Sequence, residues 1–179
     1  MSQSILLVAA LLVEVVLFTC LVLVGYLMVV GVLTVPWVRT RPSIARSMLE
    51  LGGYAPHERV LDLGSGDGTI VLEAAAQGGG GVGMERVGIL VQYARLKAWV
   101  RGFSGKTQFI KADIFTAPLP EAQLITSYLF PAVNARVEPR LLEAFPVGTR
   151  VISRDFCFPT LRLVKEIHLK GSNLFLYEL

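Results

Sequence analysis

The chain is poor in the residues that build covalent and metal frameworks. Its 179 residues include two cysteines, Cys20 and Cys157, and two histidines, His57 and His168, all far apart in sequence. Such a set assembles neither a disulfide scaffold nor a metal cluster, and it fits a reducing compartment. Charge is missing from the front, where Glu14 is the only charged side chain before Arg39. No lysine lies between Met1 and Tyr93, which excludes a phosphate-binding P-loop there, since that loop needs Gly-Lys-Ser/Thr after its glycines. Met1–Ser4 carries no basic residue, and the apolar run that follows is too long for a cleaved signal peptide, so a retained segment is expected.

Hydrophobicity fills that gap. The composition is 53% hydrophobic with a mean hydropathy of +0.58, and the excess is concentrated before Trp37. Val15–Val38 is an uncharged run of 24 residues, which as a helix would span roughly 36 Å against a hydrocarbon core of about 30 Å. One N-terminal transmembrane helix is expected, with residues 1–38 as the anchor and 39–179 as the folded domain. Glu14 falls near the amino end of the stretch, at the interface. Arg39, Arg41 and Arg46 follow the span at once, so the positive-inside rule puts the domain on the cytoplasmic side, or on the matrix side of a mitochondrial membrane. Beyond Val38 stand 17 basic and 13 acidic residues, an excess that suits anionic headgroups and is too small and scattered to argue for nucleic acid.

After the span, Thr34–Pro42 holds two prolines and Trp37 and reads as an interfacial turn. Ser43 is placed to cap an amphipathic helix over Ile44–Leu51. Beyond it, short apolar runs alternate with helical patterns, as in a parallel sheet covered by helices. Strands are expected at Arg59–Leu63, Gly81–Met84, Thr107–Ile110, Leu124–Tyr128 and Thr149–Ser153, and helices at Thr69–Gln77, Val87–Val100 and Val137–Phe145. Gly78–Gly81 reads as a flexible loop tip. Leu163–Leu169 and Asn173–Glu178, joined by Lys170-Gly171-Ser172, have no room for a helix between them and form an antiparallel hairpin. The expected fold is α/β: five βα units closed by the hairpin into a Rossmann-like seven-stranded sheet.

The organising stretch is Val60–Gly68, Val-Leu-Asp-Leu-Gly-Ser-Gly-Asp-Gly. A buried strand ends at Asp62, the glycines make a tight turn, and a helix begins at Thr69. Glycine tolerates positive φ and lets a ligand approach the backbone, and the helix start presents N–H groups. A dinucleotide fingerprint would place its last glycine at position 69, where Thr69 stands, so that reading loses. The remaining familiar user of an acidic-x-Gly-x-Gly-x-Gly turn is S-adenosylmethionine, whose ammonium group suits Asp62. Ligands of such sheets sit outside the carboxyl ends of the strands. Glu85 ends the second strand, 17 positions beyond Gly68, a spacing suited to the two ribose hydroxyls. Asp113 follows the third and is placed for the adenine amino group, with Ile114 offering an apolar face to the ring.

Together Asp62-Leu-Gly-Ser-Gly-Asp-Gly68, Glu85 and Asp113 resemble the seven-β-strand S-adenosylmethionine-dependent methyltransferases. Narrower segments are similar to the membrane-anchored lysine methyltransferases of adenine nucleotide translocase and of the ATP synthase c-subunit, and to their prokaryotic relatives. These segments are Val35-Pro-Trp-Val38 after a span, Gly64-Ser-Gly-Asp-Gly-Thr-Ile-Val71, Tyr93-Ala-Arg-Leu-Lys-Ala-Trp99, Tyr128-Leu-Phe-Pro131 and Arg154-Asp-Phe-Cys-Phe-Pro159. The resemblance implies cofactor contacts at Asp62, Gly64, Ser65, Gly66, Gly68, Glu85, Asp113 and Ile114, and a membrane-protein lysine as acceptor. Tyr128-Leu-Phe-Pro131 stands where amino methyltransferases of adenine or glutamine carry Asn/Asp-Pro-Pro-Tyr, which argues against those acceptors.

A lysine acceptor has an ordinary pKa of about 10.4 and must lose its proton before attack. Tyr128 and Asp155, at the open ends of strands four and five with Asn134 nearby, are the candidates to meet it, Tyr128 also through its ring face. Trp37 reads as an interfacial anchor and Trp99 as a core residue of its helix. Two alternatives stay open: a methyltransferase of a small molecule or lipid headgroup, and a non-catalytic membrane scaffold that kept the fold.

Overall fold

The computed structural model describes residues 3–33 and 38–179. Two compact units, Met1–Val38 and Arg39–Leu179, are described separately. The first is helix α1 (Gln3–Leu33), in which Leu7–Tyr26 is long and apolar enough to cross a membrane and is nowhere buried by protein. The helix starts earlier than the uncharged run, so Glu14 lies inside the candidate span rather than at its amino end. The expected turn at Thr34–Trp37, with the Trp37 anchor, falls outside the described residues.

In the second unit α2 (Pro42–Leu51) is started by Pro42 in the first helical position, with no side-chain cap. Ser43 is therefore inside the first turn rather than capping it. A seven-stranded sheet follows, built from β1 (Arg59–Leu63), β2 (Gly80–Glu85), β3 (Thr107–Lys111), β4 (Leu124–Ser127), β5 (Arg150–Arg154), β6 (Arg162–Leu169) and β7 (Ser172–Glu178). Its order is β3-β2-β1-β4-β5-β7-β6. The first five strands run parallel, and β7 is antiparallel to both β5 and β6. The hairpin thus closes the sheet as its short Lys170-Gly171-Ser172 connection requires.

Helices α3 (Thr69–Ala76), α4 (Gly88–Val100) and α5 (Pro131–Ala144) complete the unit. Val60, Phe109, Leu124 and Ile152 face one side of the sheet, against α2, α3 and α4. Leu61, Leu63, Met84 and Ile125 face the other, against α5 and neighbouring loops. This alternation is the period of two of a strand buried on both faces. Residues 112–123 and 155–161 contain no helix, so the expectation of five βα units is corrected to three helical crossovers. Helix α5 begins six residues before the expected Val137, because Pro131 takes the first helical position and Pro139 lies inside the helix. Proline's fixed φ and missing N–H suit the first helical position.

Only the first half of the Gly78–Gly81 run is loop, Gly78 and Gly79 connecting α3 to β2. Gly80 and Gly81 open β2, and a Cβ on Gly80 would stand 2.1 Å from the Lys106 carbonyl oxygen. Close backbone approach at the head of β2, rather than flexibility, requires the glycines.

Candidate active site

The glycine turn leaves β1 at its carboxyl end. Gly64, Gly66 and Gly68 have φ of 73°, 53° and 75°, and a Cβ on Gly68 would meet the Phe109 ring at 2.5 Å. Two successive N–H groups, of Gly64 and Ser65, donate to the Met84 carbonyl at 2.9 Å each, joining the turn to the end of β2. There Glu85 faces back into the turn. Its Oε2 accepts from the Gly66 N–H at 3.0 Å, and its Oε1 accepts from the Val87 N–H at 2.8 Å. A carboxylate offers about four lone-pair sites, so two acceptor positions remain for hydroxyl donors.

Asp67 locks the other side. Its Oδ2 meets Lys97 Nζ at 2.8 Å and Arg39 Nε at 3.0 Å, and its Oδ1 accepts from the Thr69 hydroxyl at 2.7 Å. Burial pushes its carboxyl up, but the hydrogen bonds from Lys97 and Thr69 and the charges of Lys97 and Arg39 outweigh it and hold Asp67 below the usual range.

Asp62 is the opposite case. It is 3% exposed, and its hydrogen-bond donor is the Thr126 hydroxyl, at 2.8 Å. Burial pushes its pKa up to about 7, the Thr126 bond opposes this, and the charges of Glu85 and Asp67 push further upward. A buried carboxylate whose pair of carboxylate neighbours adds negative charge favours a cation at its side. Ser65 Oγ, in the same turn, is buried without a hydrogen-bond partner among the described residues. The unneutralised charge of Asp62, the spare acceptors of Glu85 and the unpaired Ser65 fit a ligand with an ammonium group and a ribose.

The next strand tip contributes less directly. Asp113 Oδ1 accepts from the Phe115 N–H at 2.9 Å, shaping the turn after β3, and no hydrogen bond joins it to Glu85 among the described residues. Ile114 packs into the apolar cluster of Leu61 and Met84, and its carbonyl accepts from Arg140. The structure therefore gives both residues a structural task at the rim.

At the tips of β4 and β5 the material changes to aromatics. Tyr128 stacks on Phe156 with centroids 6.1 Å apart, Phe156 meets Phe130 at 5.3 Å, and the Arg154 guanidinium lies over the Tyr128 ring at 4.1 Å. Arg154 also reaches the hydroxyl of Thr40, at 3.4 Å. Beneath them Asn134, fully buried, accepts from Ser127 Oγ at 2.9 Å and donates to the Phe156 carbonyl at 3.0 Å, fixing the position of the Phe156 loop. Asp155 meets this group through Arg154. At φ 60° its Oδ1 accepts from Ser172 Oγ and the Asn173 N–H, while its Oδ2 pairs with Arg154 at 3.2 Å. These contacts fasten the β5 turn to β7 and leave an acceptor position on Oδ2 for a further donor.

Arg154, Phe156, Thr126 and the Lys97–Asp67 pair are the participants that sequence reasoning missed. Asp67 carried a signal as the acid inside the glycine motif, and Lys97, Arg154 and Phe156 stand inside segments that carry the family resemblance. Trp99 is also corrected: it is 71% exposed and not a core residue.

Comparison with known proteins agrees with this geometry. The family described as the ANTKMT methyltransferase domain matches residues 62–165. A protein-lysine N-methyltransferase of Saccharolobus islandicus (strain REY15A) is 32% identical over 123 residues, covering 68% of this chain and 76% of the relative. The adenine nucleotide translocase lysine N-methyltransferase of Mus musculus is 39% identical over 104 residues, 57% of this chain and 45% of the relative. The chain thus spans about half the length of the mouse protein. Among solved structures, an RNA methyltransferase from Salinibacter ruber in complex with S-adenosyl-L-homocysteine has a TM-score of 0.76 at 36% identity, covering 79% of this chain and 93% of that one. The chain belongs to the ANTKMT methyltransferase domain family and is an S-adenosylmethionine-dependent methyltransferase.

Proposed function

We propose that the chain is a membrane-anchored protein-lysine N-methyltransferase acting on a membrane protein, with its domain on the cytoplasmic or matrix side. The observation that carries the lysine reading is the match to the protein-lysine N-methyltransferase of Saccharolobus islandicus over 76% of that relative's length. The name of the Mus musculus relative supports a membrane-protein acceptor. The candidate span Leu7–Tyr26, followed by Arg39, Arg41 and Arg46, supports the anchor and its orientation.

S-adenosylmethionine, when bound, supplies an electrophilic methyl group on a positively charged sulfur. Asp62 holds the ammonium end, Glu85 accepts from the ribose hydroxyls, Asp113 and Ile114 border the adenine, and Gly64, Ser65, Gly66 and Gly68 form the floor. Tyr128, Phe130 and Phe156 form an apolar rim that strips water from the acceptor side chain, lowering an amine's pKa. Arg154 over Tyr128 adds a like charge and acts in the same direction. The ring face of Tyr128 already carries that guanidinium, so Tyr128 is assigned to desolvating and aligning the amine rather than to a second cation–π contact. Most of the acceleration then comes from alignment.

One observation favours another acceptor, the 36% identity to a protein titled an RNA methyltransferase. Tyr128-Leu-Phe-Pro131, in place of Asn/Asp-Pro-Pro-Tyr, counts against adenine. Native membranes incubated with the full chain and methyl-labelled S-adenosylmethionine separate the readings. The expected label is in protein and hydrolyses to methyllysine. Label recovered in RNA, or extracted with lipid, would overturn the proposal.

A further inference from the structure

Helix α4 presents a second surface that the reaction does not use. Successive helical residues turn by about 100°, so Ile89, Tyr93, Leu96, Trp99 and Val100 fall within an arc of about 120° on the side opposite Val91, Ala94 and Ala98. The inner three are buried; the outer five are between 46% and 75% exposed. Scattered exposed apolar residues are ordinary, but five large ones on one helix face, with Gln92 the one polar residue in their arc, mark an interaction face.

Charge identifies what covers it. Residues 86–112 contain six cations, Arg86, Arg95, Lys97, Arg101, Lys106 and Lys111, and no acidic residue, although the whole chain carries a net charge of only +3. Among the described residues Arg86, Arg95, Lys106 and Lys111 have no carboxylate partner. An apolar helical stripe containing tryptophan and tyrosine, flanked by basic residues, is the composition of a helix lying in the headgroup region of an anionic bilayer. Single-stranded RNA is the poorer match, because Ile89, Leu96 and Val100 in the middle of the stripe give bases nothing to stack on.

We propose that α4 docks on the surface of an anionic membrane, its stripe inserted at the level of the headgroups and its basic rim against lipid phosphates. The inference rests on the anchor reading, which brings the domain within reach of that surface. Lys97 on the same helix binds Asp67, so the helix that lies on the bilayer also braces the cofactor turn.

The chain has two tryptophans, so the full-length Trp37→Phe chain reports on Trp99 alone. It is reconstituted in phosphatidylcholine vesicles with or without phosphatidylserine, using lipids brominated in the upper acyl chain. The expected result is vesicle flotation with either lipid, and strong quenching of Trp99 by brominated lipid with protection from aqueous iodide, both more marked with phosphatidylserine. Adding Leu96→Asp should restore iodide access while flotation and S-adenosylmethionine binding persist. A floating chain whose Trp99 stays open to iodide overturns the docking and leaves the anchor standing; a chain that fails to float overturns both. Concentration-dependent shielding of Trp99 in detergent would assign the stripe to a second copy of the chain, and shielding only by an RNA oligonucleotide would assign it to nucleic acid. Either result overturns the membrane assignment.

Discussion

At the tips of β1 and β2 carboxylates are buried and hydrogen-bonded, Asp62 to the Thr126 hydroxyl and Glu85 to backbone N–H groups, whereas at the tips of β4 and β5 aromatic rings stand half open around an arginine. Asp62 and Glu85 are each less than a tenth exposed, while Phe130 is 40% exposed. The first arrangement suits a ligand that is the same at every turnover, held by fixed acceptors that need no rearrangement. The second suits a side chain that belongs to another macromolecule and must enter and leave. On the proposed assignment cofactor affinity belongs to one half of the site and acceptor selection to the other, and substitutions in the two halves should separate accordingly.

The largest effect is expected from Gly68→Val. It places a β-branched side chain at φ 75° against Phe109, which should cost about 2–5 kcal/mol of stability and abolish cofactor binding. Thermal denaturation and calorimetric titration check both. Glu85→Ala removes the acceptors at the end of β2 and leaves the Gly66 N–H unpaired; a loss of cofactor affinity of about 10- to 150-fold is expected, at about 1.5–3 kcal/mol for hydrogen bonds to a charged group. Tyr128→Ala should do the reverse. Steady-state kinetics should show kcat/KM for the acceptor falling about 10- to 100-fold, the scale of a lost alignment, while calorimetry gives a nearly unchanged cofactor Kd.

A pH dependence sharpens the contrast. Asp62 has its folded pKa raised from 3.8 to about 7, so its protonated form is favoured by the fold. Its contribution to the stability of the cofactor-free chain is complete below its unfolded value and is lost as pH rises through about 7. Affinity for the ammonium group runs the other way, rising about tenfold from about pH 6 to about pH 8 as the carboxylate ionises. Asp62→Asn should flatten that rise. The smallest effect is expected from Asp155→Asn, which loosens the β5 to β7 turn: about 1 kcal/mol of stability, read by urea denaturation, with kcat within about twofold of the parent chain.

How much of this was legible in the sequence follows the same division. The strands, the terminal hairpin, the glycine turn and Glu85 are written in local pattern, because strand period, turn glycines and a fixed acid spacing all act over short distances. Arg154 over Tyr128, Thr126 on Asp62 and the Lys97–Asp67 pair depend on which strands lie side by side in the order β3-β2-β1-β4-β5, and no local pattern announces them. Asp155 shows the ambiguity of a position after a strand, which suits a turn residue as well as a substrate contact. Trp99 misled because an aromatic on a helix is usually core, and its register against Val91 and Ala98 shows otherwise only once α4 is laid on the sheet. Gly80 read as loop because the Lys106 carbonyl that excludes a side chain there comes from the turn before β3, distant in sequence.

The division between the two halves is tested most directly by calorimetric titration of S-adenosylmethionine into the full chain, its Glu85→Ala form and its Tyr128→Ala form under identical conditions. One-site binding should survive in the parent and in Tyr128→Ala and collapse in Glu85→Ala. Equal affinity in all three, or binding lost through Tyr128 and retained without Glu85, would contradict the placement of the cofactor at the tips of β1 and β2.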